Sequence, residues 1–244
     1  MTCRVLITRA AADAEALAAP IRALGMQPVL VPLVQRVSYP EQVAATAARG
    51  HDGWVLTSAA VVGVLRDVSV RPAWIAAVGP ATARAAERAG LTVDLVPARA
   101  TAADLAEALG DRSGQTVLYP RAAVASPGTL EGLRATGAVV EDVVAYDNVE
   151  PSGAGEALAA VWPVDAVVLM SGSAARRLAR HCPPPWEGVT VFAIGPRTAE
   201  AAGDVGIGVD VVADEHTVAG VVGVVRAWGG GTGSGRERLD KGRC

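Results

Sequence analysis

The sequence predicts an α/β protein made of two similar domains, each a parallel sheet flanked by helices, joined by two extended linkers with a cleft between them. Short apolar segments alternate with helical patterns along the chain, which is typical of β-α-β units. The second half of the chain repeats the motifs of the first half in the same order. Two extended segments that contain proline, Pro32–Tyr39 and Tyr146–Ser152, occupy equivalent places in the two repeats and are the predicted linkers.

The first repeat illustrates the pattern element by element. A short buried strand is predicted at Arg4–Thr8, and a helix at Asp13–Leu24 ends before Gly25, a residue suited to the left-handed turn after a helix. A second strand follows at Pro28–Val34. The same order then recurs as strand Gly53–Thr57, helix Ser58–Val68, strand Trp74–Val78 and helix Ala81–Ala89.

The two repeats keep charged and turn-forming residues in register, and not only Ala and Val. The matching segments are Val5–Arg9 with Val117–Arg121, Arg22–Gly25 with Arg134–Gly137, Leu56–Ala60 with Leu169–Ser173, Gly79–Ala83 with Gly195–Ala199, and Thr101 with Thr217. The separation between partners changes by only a few residues along the chain, as loop insertions would produce. Chance similarity would not preserve such residues in order, so the sequence indicates an internal duplication.

Composition argues against several classes of function. A hydrophobic fraction of 51% in 244 residues is ample for buried cores. One Phe, three Tyr and a net charge of −3 argue against a nucleic-acid partner, which needs basic and aromatic surface. The chain shows no secretory leader and no apolar run of membrane-spanning length, so we expect a cytoplasmic protein without a membrane partner. Three cysteines and three histidines are scattered, which predicts neither a metal site nor a disulfide framework.

Three kinds of strand-to-helix junction occur twice each and are the candidate binding residues. They are Arg9 with Arg121; Thr57, Ser58 and Ala59 with Ser171, Gly172 and Ser173; and Gly79 and Thr82 with Gly195, Arg197 and Thr198. In a parallel sheet all of them lie at the carboxyl ends of strands, where open α/β sheets bind ligands. Helix starts carry partial positive charge and free N–H groups, small residues let a ligand approach the backbone, and arginines add charge-assisted hydrogen bonds. The junctions therefore predict an anion-binding cleft.

A structural interpretation of the same residues stays open. Thr57, Ser58, Ser171 and Thr198 are also suitable helix caps, and an arginine at a strand end is often simply solvated. The sequence contains no Ser/His/Asp set, no glycine-rich phosphate-binding loop and no paired carboxylates near the junctions. An enzyme built this way would act by holding and shaping a reactive substrate, and no cofactor is predicted.

The motifs together resemble the uroporphyrinogen-III synthase family from about Val5 to Val225. The segments that carry the resemblance are Val5–Arg9, Val55–Ser58, Ala77–Ala83, Leu118–Arg121, Val143–Tyr146, Leu169–Ser173 and Ile194–Ala199. Each is unspecific alone, and their order and spacing are what match. The resemblance implies that residues 1–35 and 150–228 form one domain and residues 36–149 the other. Residues 229–244, rich in glycine and charge, are predicted to be a disordered tail.

The resemblance also implies a reaction. Linear hydroxymethylbilane loses its hydroxyl, the terminal pyrrole inverts through a spiro intermediate, and the ring closes as the III isomer, without a cofactor. A substrate with eight carboxylates suits a cleft ringed by helix starts. The family further implies a lyase that acts on a linear tetrapyrrole, with handover from hydroxymethylbilane synthase as a partner. The lack of a large aromatic patch in the sequence favours a monomer. The alternative is a catalytically silent tetrapyrrole-binding or regulatory protein on the same scaffold.

Residue by residue, the resemblance singles out one catalytic candidate. Phenols lie in both predicted linkers, at Tyr39 and Tyr146, and Tyr146 matches the family's tyrosine proposed to assist departure of the hydroxyl. A half-buried packing role for Tyr146 stays open. Thr82 and Thr198 match family threonines. The chain departs from the family pattern at Ala60, where Asn is usual, and at Ala122, where Gly is usual.

Overall fold

The computed structural model describes residues 2–66, 68–125 and 127–230. Its first half contains β1 (Arg4–Ile7), α1 (Ala11–Ala23), β2 (Gln27–Leu30), β3 (Gln35–Ser38), α2 (Pro40–Ala47), β4 (Gly53–Leu56), α3 (Ala59–Leu65), β5 (Trp74–Ala77), α4 (Pro80–Arg88) and α5 (Ala102–Leu109). Its second half contains β6 (Thr116–Ala122), α6 (Pro127–Ala135), β7 (Val139–Val149), α7 (Ala154–Val161), β8 (Ala166–Leu169), α8 (Gly172–His181), β9 (Thr190–Ala193), α9 (Pro196–Gly203), β10 (Val211–Val212) and α10 (Val218–Gly230).

The chain divides into two compact units. Unit 1 comprises the described parts of Met1–Gln35 and Val149–Cys244, and unit 2 comprises Arg36–Asn148. Unit 1 contains a five-stranded sheet in the order β10-β9-β8-β1-β2, in which all neighbouring strands are parallel. Unit 2 contains a five-stranded sheet in the order β3-β7-β6-β4-β5, in which β7, β6, β4 and β5 are mutually parallel. The predicted α/β class with parallel, helix-flanked sheets is confirmed.

Helices cover both faces of each sheet, which explains why the strands read as unbroken apolar runs. In β1, Val5 and Ile7 belong to one buried cluster and Leu6 belongs to the cluster on the opposite face. In β4, Trp54 and Leu56 pack on one side while Val55 packs on the other. Because both faces need apolar side chains, no polar-apolar alternation marks these strands.

Equivalent residues of the two repeats form equivalent hydrogen bonds. The Asp165 carboxylate, just before β8, accepts the N–H of Arg4 at 2.7 Å, and the Asp52 carboxylate, just before β4, accepts the N–H of Thr116 at 2.8 Å. The two bonds to Thr116 hold the pKa of Asp52 below its usual value. Each carboxylate thus aligns the start of one strand with the start of its neighbour, at the same place in both sheets.

Each unit combines parts of both repeats. Strand β1 of the first repeat pairs with β8 of the second, with Val5 opposite Ala166. Strand β6 of the second repeat pairs with β4 of the first, with Gly53 opposite Val117. The repeats have therefore exchanged their opening β-α-β segments, so that repeat and unit do not coincide.

Several local predictions need correction. The strand expected at Pro28–Val34 ends at Leu30, although Val31 and Leu33 still donate backbone hydrogen bonds to the end of β1. The first two residues of the predicted tail, Gly229 and Gly230, lie in the last turn of α10. Residues 231–244 of that tail lie outside the described residues. Among the helices of the described chain, none is long and apolar enough to cross a membrane.

Candidate functional site

In unit 2, the predicted binding residues meet at the carboxyl edge of four adjacent strands. Thr57, Ser58 and Ala59 follow β4, Gly79 and Thr82 follow β5, Arg121 lies near the end of β6, and Tyr146 lies in β7. The register sets Ala122 opposite Tyr146 and Leu56 opposite Ala77, so these strand ends are level with one another. One edge of one sheet therefore brings the catalytic candidate to the binding candidates of the same unit.

The phenol of Tyr146 is hydrogen-bonded to a helix cap. Its hydroxyl lies 3.3 Å from Oγ of Ser58, and that Oγ also accepts the N–H of Val61 in the first turn of α3. The Tyr146 ring is half-buried and packs against the apolar cluster on one face of the unit 2 sheet. The hydroxyl is thus held at the positive end of a helix, a place that favours negative charge.

A second side chain contacts the phenol ring, and no sequence motif predicted this contact. The Arg36 guanidinium carbon lies 5.4 Å from the centroid of the Tyr146 ring. Arg36 belongs to β3, which is the neighbour of β7 in the sheet, and the N–H of Tyr39 donates to the carbonyl of Ala145 at 2.8 Å. Arg36 lies in the segment Pro32–Tyr39, where we expected extended chain only, and its partner is far away in sequence.

The Arg121 side chain forms hydrogen bonds within unit 2. Its Nε donates to the Asp142 carboxylate at 2.7 Å, and its Nη1 donates to the carbonyls of Ala122 and Ala123. Both side chains of the ion pair are about three-quarters covered. Arg121 therefore braces the end of β6 against β7, and its predicted contact with a substrate stays a prediction.

In unit 1, the remaining predicted residues follow three adjacent strands in the same way. Arg9 follows β1; Ser171, Gly172 and Ser173 follow β8; Gly195, Arg197 and Thr198 follow β9. The Ser171 hydroxyl accepts the N–H of Ala174 at 3.2 Å and lies 3.1 Å from the Ser173 hydroxyl. Arg9 is within 3.7 Å of Asp13, and Arg197 is exposed.

The capping alternative holds for two of the four residues proposed for it. Ser58 and Ser171 are the caps of α3 and α8, each with an extended backbone and an accepting hydroxyl. Thr57 precedes the cap, and Thr198 is the third helical residue of α9, so both assignments as caps were wrong. The caps of α4 and α9 are Gly79 and Gly195, which offer no side-chain acceptor. Thr82 and Thr198 occupy equivalent buried positions one turn inside these helices, with 6% and 7% of their surface exposed.

The glycines of the site are explained by protein packing. A Cβ on Gly79 would lie 2.8 Å from Cβ of Ala100, and one on Gly172 would lie 2.6 Å from Cβ of Ala201. A Cβ on Gly195 would lie 2.9 Å from the ring of His216. Neighbouring elements occupy the space that a side chain would take at these three positions, so packing accounts for glycine there, and the approach of a ligand to their backbone stays a prediction.

A second polar cluster lies in unit 1, on α8. The Glu150 carboxylate is contacted by Arg177, Arg180 and His181, and the hydrogen bond from His181, followed by the charges around it, holds the pKa of Glu150 below the usual range. Nη1 of Arg177 also donates to the carbonyl of Leu33 at 2.8 Å. Helix α8 is therefore connected through Arg177 to both predicted linkers, at Leu33 and at Glu150. Among the described residues, no group of three His, Cys, Asp or Glu side chains could hold a metal ion.

Comparison with known proteins identifies the family. The family model described as uroporphyrinogen-III synthase matches residues 15–223. The chain belongs to the uroporphyrinogen-III synthase family. The family match spans the unit 2 sheet edge, including Tyr146 and its contacts, and the unit 1 edge apart from Arg9. The resemblance seen in the sequence motifs is thereby confirmed.

Individual relatives agree with this assignment. The chain is 26% identical to the uroporphyrinogen-III synthase of Synechococcus elongatus, over 92% of this chain and 94% of that protein. It is similar in fold to a mutant uroporphyrinogen III synthase of Thermus thermophilus, with a TM-score of 0.66, 20% identity, and coverage of 93% of this chain and 99% of that one. The uroporphyrinogen-III synthetase of Helicobacter pylori gives a TM-score of 0.64 at 16% identity, with coverage of 93% and 100%.

Proposed function

We propose that this chain is a uroporphyrinogen-III synthase, which closes linear hydroxymethylbilane with loss of water and inversion of the terminal pyrrole ring. Membership of the family over residues 15–223 supports the activity. The observation that supports a particular catalytic group is the position of the Tyr146 hydroxyl, which lies 3.3 Å from Oγ of Ser58 at the start of α3. The alternative of a silent tetrapyrrole-binding protein has no observation in its favour.

In the proposed mechanism Tyr146 is the acid that helps the substrate hydroxyl to depart. The O–H bond of Tyr146 breaks as its proton moves to the departing hydroxyl, the C–O bond of the bilane breaks, and water leaves. The phenol oxygen then carries negative charge beside a helix start and the Ser58 hydroxyl, both of which stabilise it. Ring closure through the spiro intermediate finally releases a proton, which restores the phenol.

Substrate carboxylates are bound at the sheet edges in this proposal. Helices α3 and α4 of unit 2 and helices α8 and α9 of unit 1 all begin at such an edge. Each helix start is worth about 0.3–1 kcal/mol for one negative charge. Arg9 and Arg197 add charge near the unit 1 edge, whereas Arg121 acts mainly by bracing β6. The protein then works by constraining the geometry of a substrate that closes wrongly on its own.

Four finer statements belong to the same proposal. The enzyme is a lyase, because the net reaction eliminates water. It receives its unstable substrate from hydroxymethylbilane synthase. It acts as a monomer in the cytoplasm. Size-exclusion chromatography with light scattering and cell fractionation test the last two.

The decisive experiment analyses the product isomer. Hydroxymethylbilane is generated in situ, the protein is added, and the uroporphyrins are oxidised and separated. We expect isomer III; isomer I alone, as in the enzyme-free control, would refute the proposed function.

The role of Tyr146 is tested by Tyr146→Phe, with Tyr39→Phe as the matched control, a tyrosine that directly follows the neighbouring strand β3 and caps α2. Loss of an acid predicts a fall in kcat of about 10²-fold for the first variant. The control should stay within about twofold of the wild type. Equal kcat values for both variants would refute an acid role for Tyr146 and leave it only a packing role.

A further inference from the structure

Arg36 is the one charged side chain that the structure places on the ring face of the catalytic candidate among the described contacts. Its guanidinium carbon lies 5.4 Å from the ring centroid of Tyr146, inside the range of about 6 Å over which such a cation is attracted to an aromatic face. The Ser58 hydroxyl contacts the hydroxyl of Tyr146. The phenol is therefore held by two polar contacts at different places, one on the ring and one on the oxygen.

The backbone keeps this arrangement in register. Arg36 is in β3 and Tyr146 in the adjacent strand β7, and the N–H of Tyr39 donates to the carbonyl of Ala145, next to Tyr146. On the other side of β7, the N–H of Ala123 donates to the carbonyl of Tyr146 at 2.9 Å. Since β7 is fixed on both sides, the backbones of Arg36 and Tyr146 are held by the sheet and do not lie on a loose loop.

The charge of Arg36 matters most when the phenol has given up its proton. A cation over the ring face is attracted to a neutral phenol by its quadrupole, and more strongly to a ring that shares the negative charge of a phenolate. The interaction is thus stronger after proton transfer than before it. Only such differential interactions accelerate a chemical step.

We propose that Arg36 is a positioning residue of the reaction: it orients the Tyr146 ring and stabilises the negative charge left on it when the proton passes to the departing hydroxyl. This inference rests on the proposed function. The same proton that ring closure releases restores the phenol, so Arg36 keeps its charge throughout. No further reactant is needed.

The test compares Arg36→Gln, Arg36→Lys and the control Arg88→Gln. Arg88 is in the last turn of α4, at the end of the helix remote from the sheet edge that carries Tyr146. For Arg36→Gln we expect kcat to fall about three- to tenfold with KM within about twofold. Arg36→Lys, which keeps the cation, should recover most of the rate, and the control should resemble the wild type.

A double-mutant cycle distinguishes this role from a general loss of structure. In a Tyr146→Phe background, Arg36→Gln should change kcat by less than about twofold, because no charge then develops on the ring. An equal fall of kcat in both backgrounds would overturn the proposal. A rise of KM with unchanged kcat would also overturn it, since Arg36 would then only bind a substrate carboxylate.

The outcomes separate the two proposals. A wild-type protein that forms only isomer I refutes the proposed function. A wild type that forms isomer III, with Arg36→Gln equal to it in kcat, refutes the role of Arg36 alone.

Discussion

Ser58 and Ser171 form a natural matched pair for measuring what a helix cap contributes in this fold. They are equivalent residues of the two repeats, and both caps have nearly the same backbone, with φ of −155° and −162°. Each hydroxyl accepts one helix N–H and contacts one further hydroxyl, that of Tyr146 or that of Ser173. Replacement of either serine by alanine should therefore destabilise its unit by a similar amount.

The magnitude follows from these two contacts. Loss of a serine cap costs about 1 kcal/mol, within a range of about 0.5–2. A neutral hydroxyl pair adds about 0.5 kcal/mol, at the lower end for such bonds because the distances of 3.3 and 3.1 Å are long. We expect about 1–1.5 kcal/mol for each variant.

The assay is urea unfolding followed by tryptophan fluorescence. Trp54 and Trp74 report on unit 2, and Trp162, Trp186 and Trp228 report on unit 1. The change in the free energy of unfolding comes from the shift of the midpoint at an unchanged slope. Ser58→Thr serves as the control, because it retains a capping hydroxyl.

The reasoning also predicts a difference between the pair. Ser58→Ala removes a partner of the Tyr146 hydroxyl, so it should lower the rate of isomer III formation about fivefold more than its effect on folding explains. Ser58→Thr should stay within about twofold. A cost below about 0.3 kcal/mol for Ser58→Ala, or a threonine variant as unstable as the alanine variant, would refute the account of the cap.

Two further predictions concern titratable groups in unit 1. Because neighbouring cations lower the pKa of Glu150, its contribution to stability is present above the ordinary carboxyl pKa and is lost as pH falls through the lowered value. Glu150→Gln should therefore cost about 0.5–1 kcal/mol at pH 7, discounted for its partial exposure, and the cost should fade in urea titrations from about pH 5 downward; a cost independent of pH would contradict this. Burial, aided by the Asp165 carboxylate, raises the pKa of the Cys3 thiol to about 11, so the thiolate is scarce at pH 8. Mass-spectrometric mapping should show Cys3 alkylated about 100-fold more slowly in native protein than in urea, and equal rates would contradict the assigned burial.

Local signals predicted the elements around the site well. The Gly-Pro pairs at Gly79 and Gly195 predicted helix starts, because glycine adopts the extended cap and proline suits the first helical turn. Ser58 and Ser171 were recognised as cap candidates for the same kind of reason. These signals lie within a few residues of the structure they determine.

The errors have a common physical origin in distant partners. Gly172 is small because Ala201 of the next helix packs on it, and Arg121 is bound by Asp142 on the next strand. The contact of Arg36 with Tyr146 depends on the pairing of β3 with β7, which brings together residues about 110 positions apart. No pattern in one sequence reports which side chains meet across a sheet. Helix α2, which begins at Pro40 directly after the first predicted linker, was not predicted.

Because the repeats have exchanged their opening segments, the two sheets become complete at different times during synthesis on the ribosome. Unit 2 is one continuous stretch and can complete its sheet once Asn148 has emerged. Strand β1 lies between β2 and β8 in its sheet, and although β2 follows it closely in the chain, β8 begins only at Ala166. At about 5–20 residues per second, the edge of β1 that pairs with β8 stays unpaired for roughly ten to thirty seconds. Chaperones that bind exposed strand edges therefore have a long opportunity at Val5–Ile7, which later forms an interior strand of the unit 1 sheet.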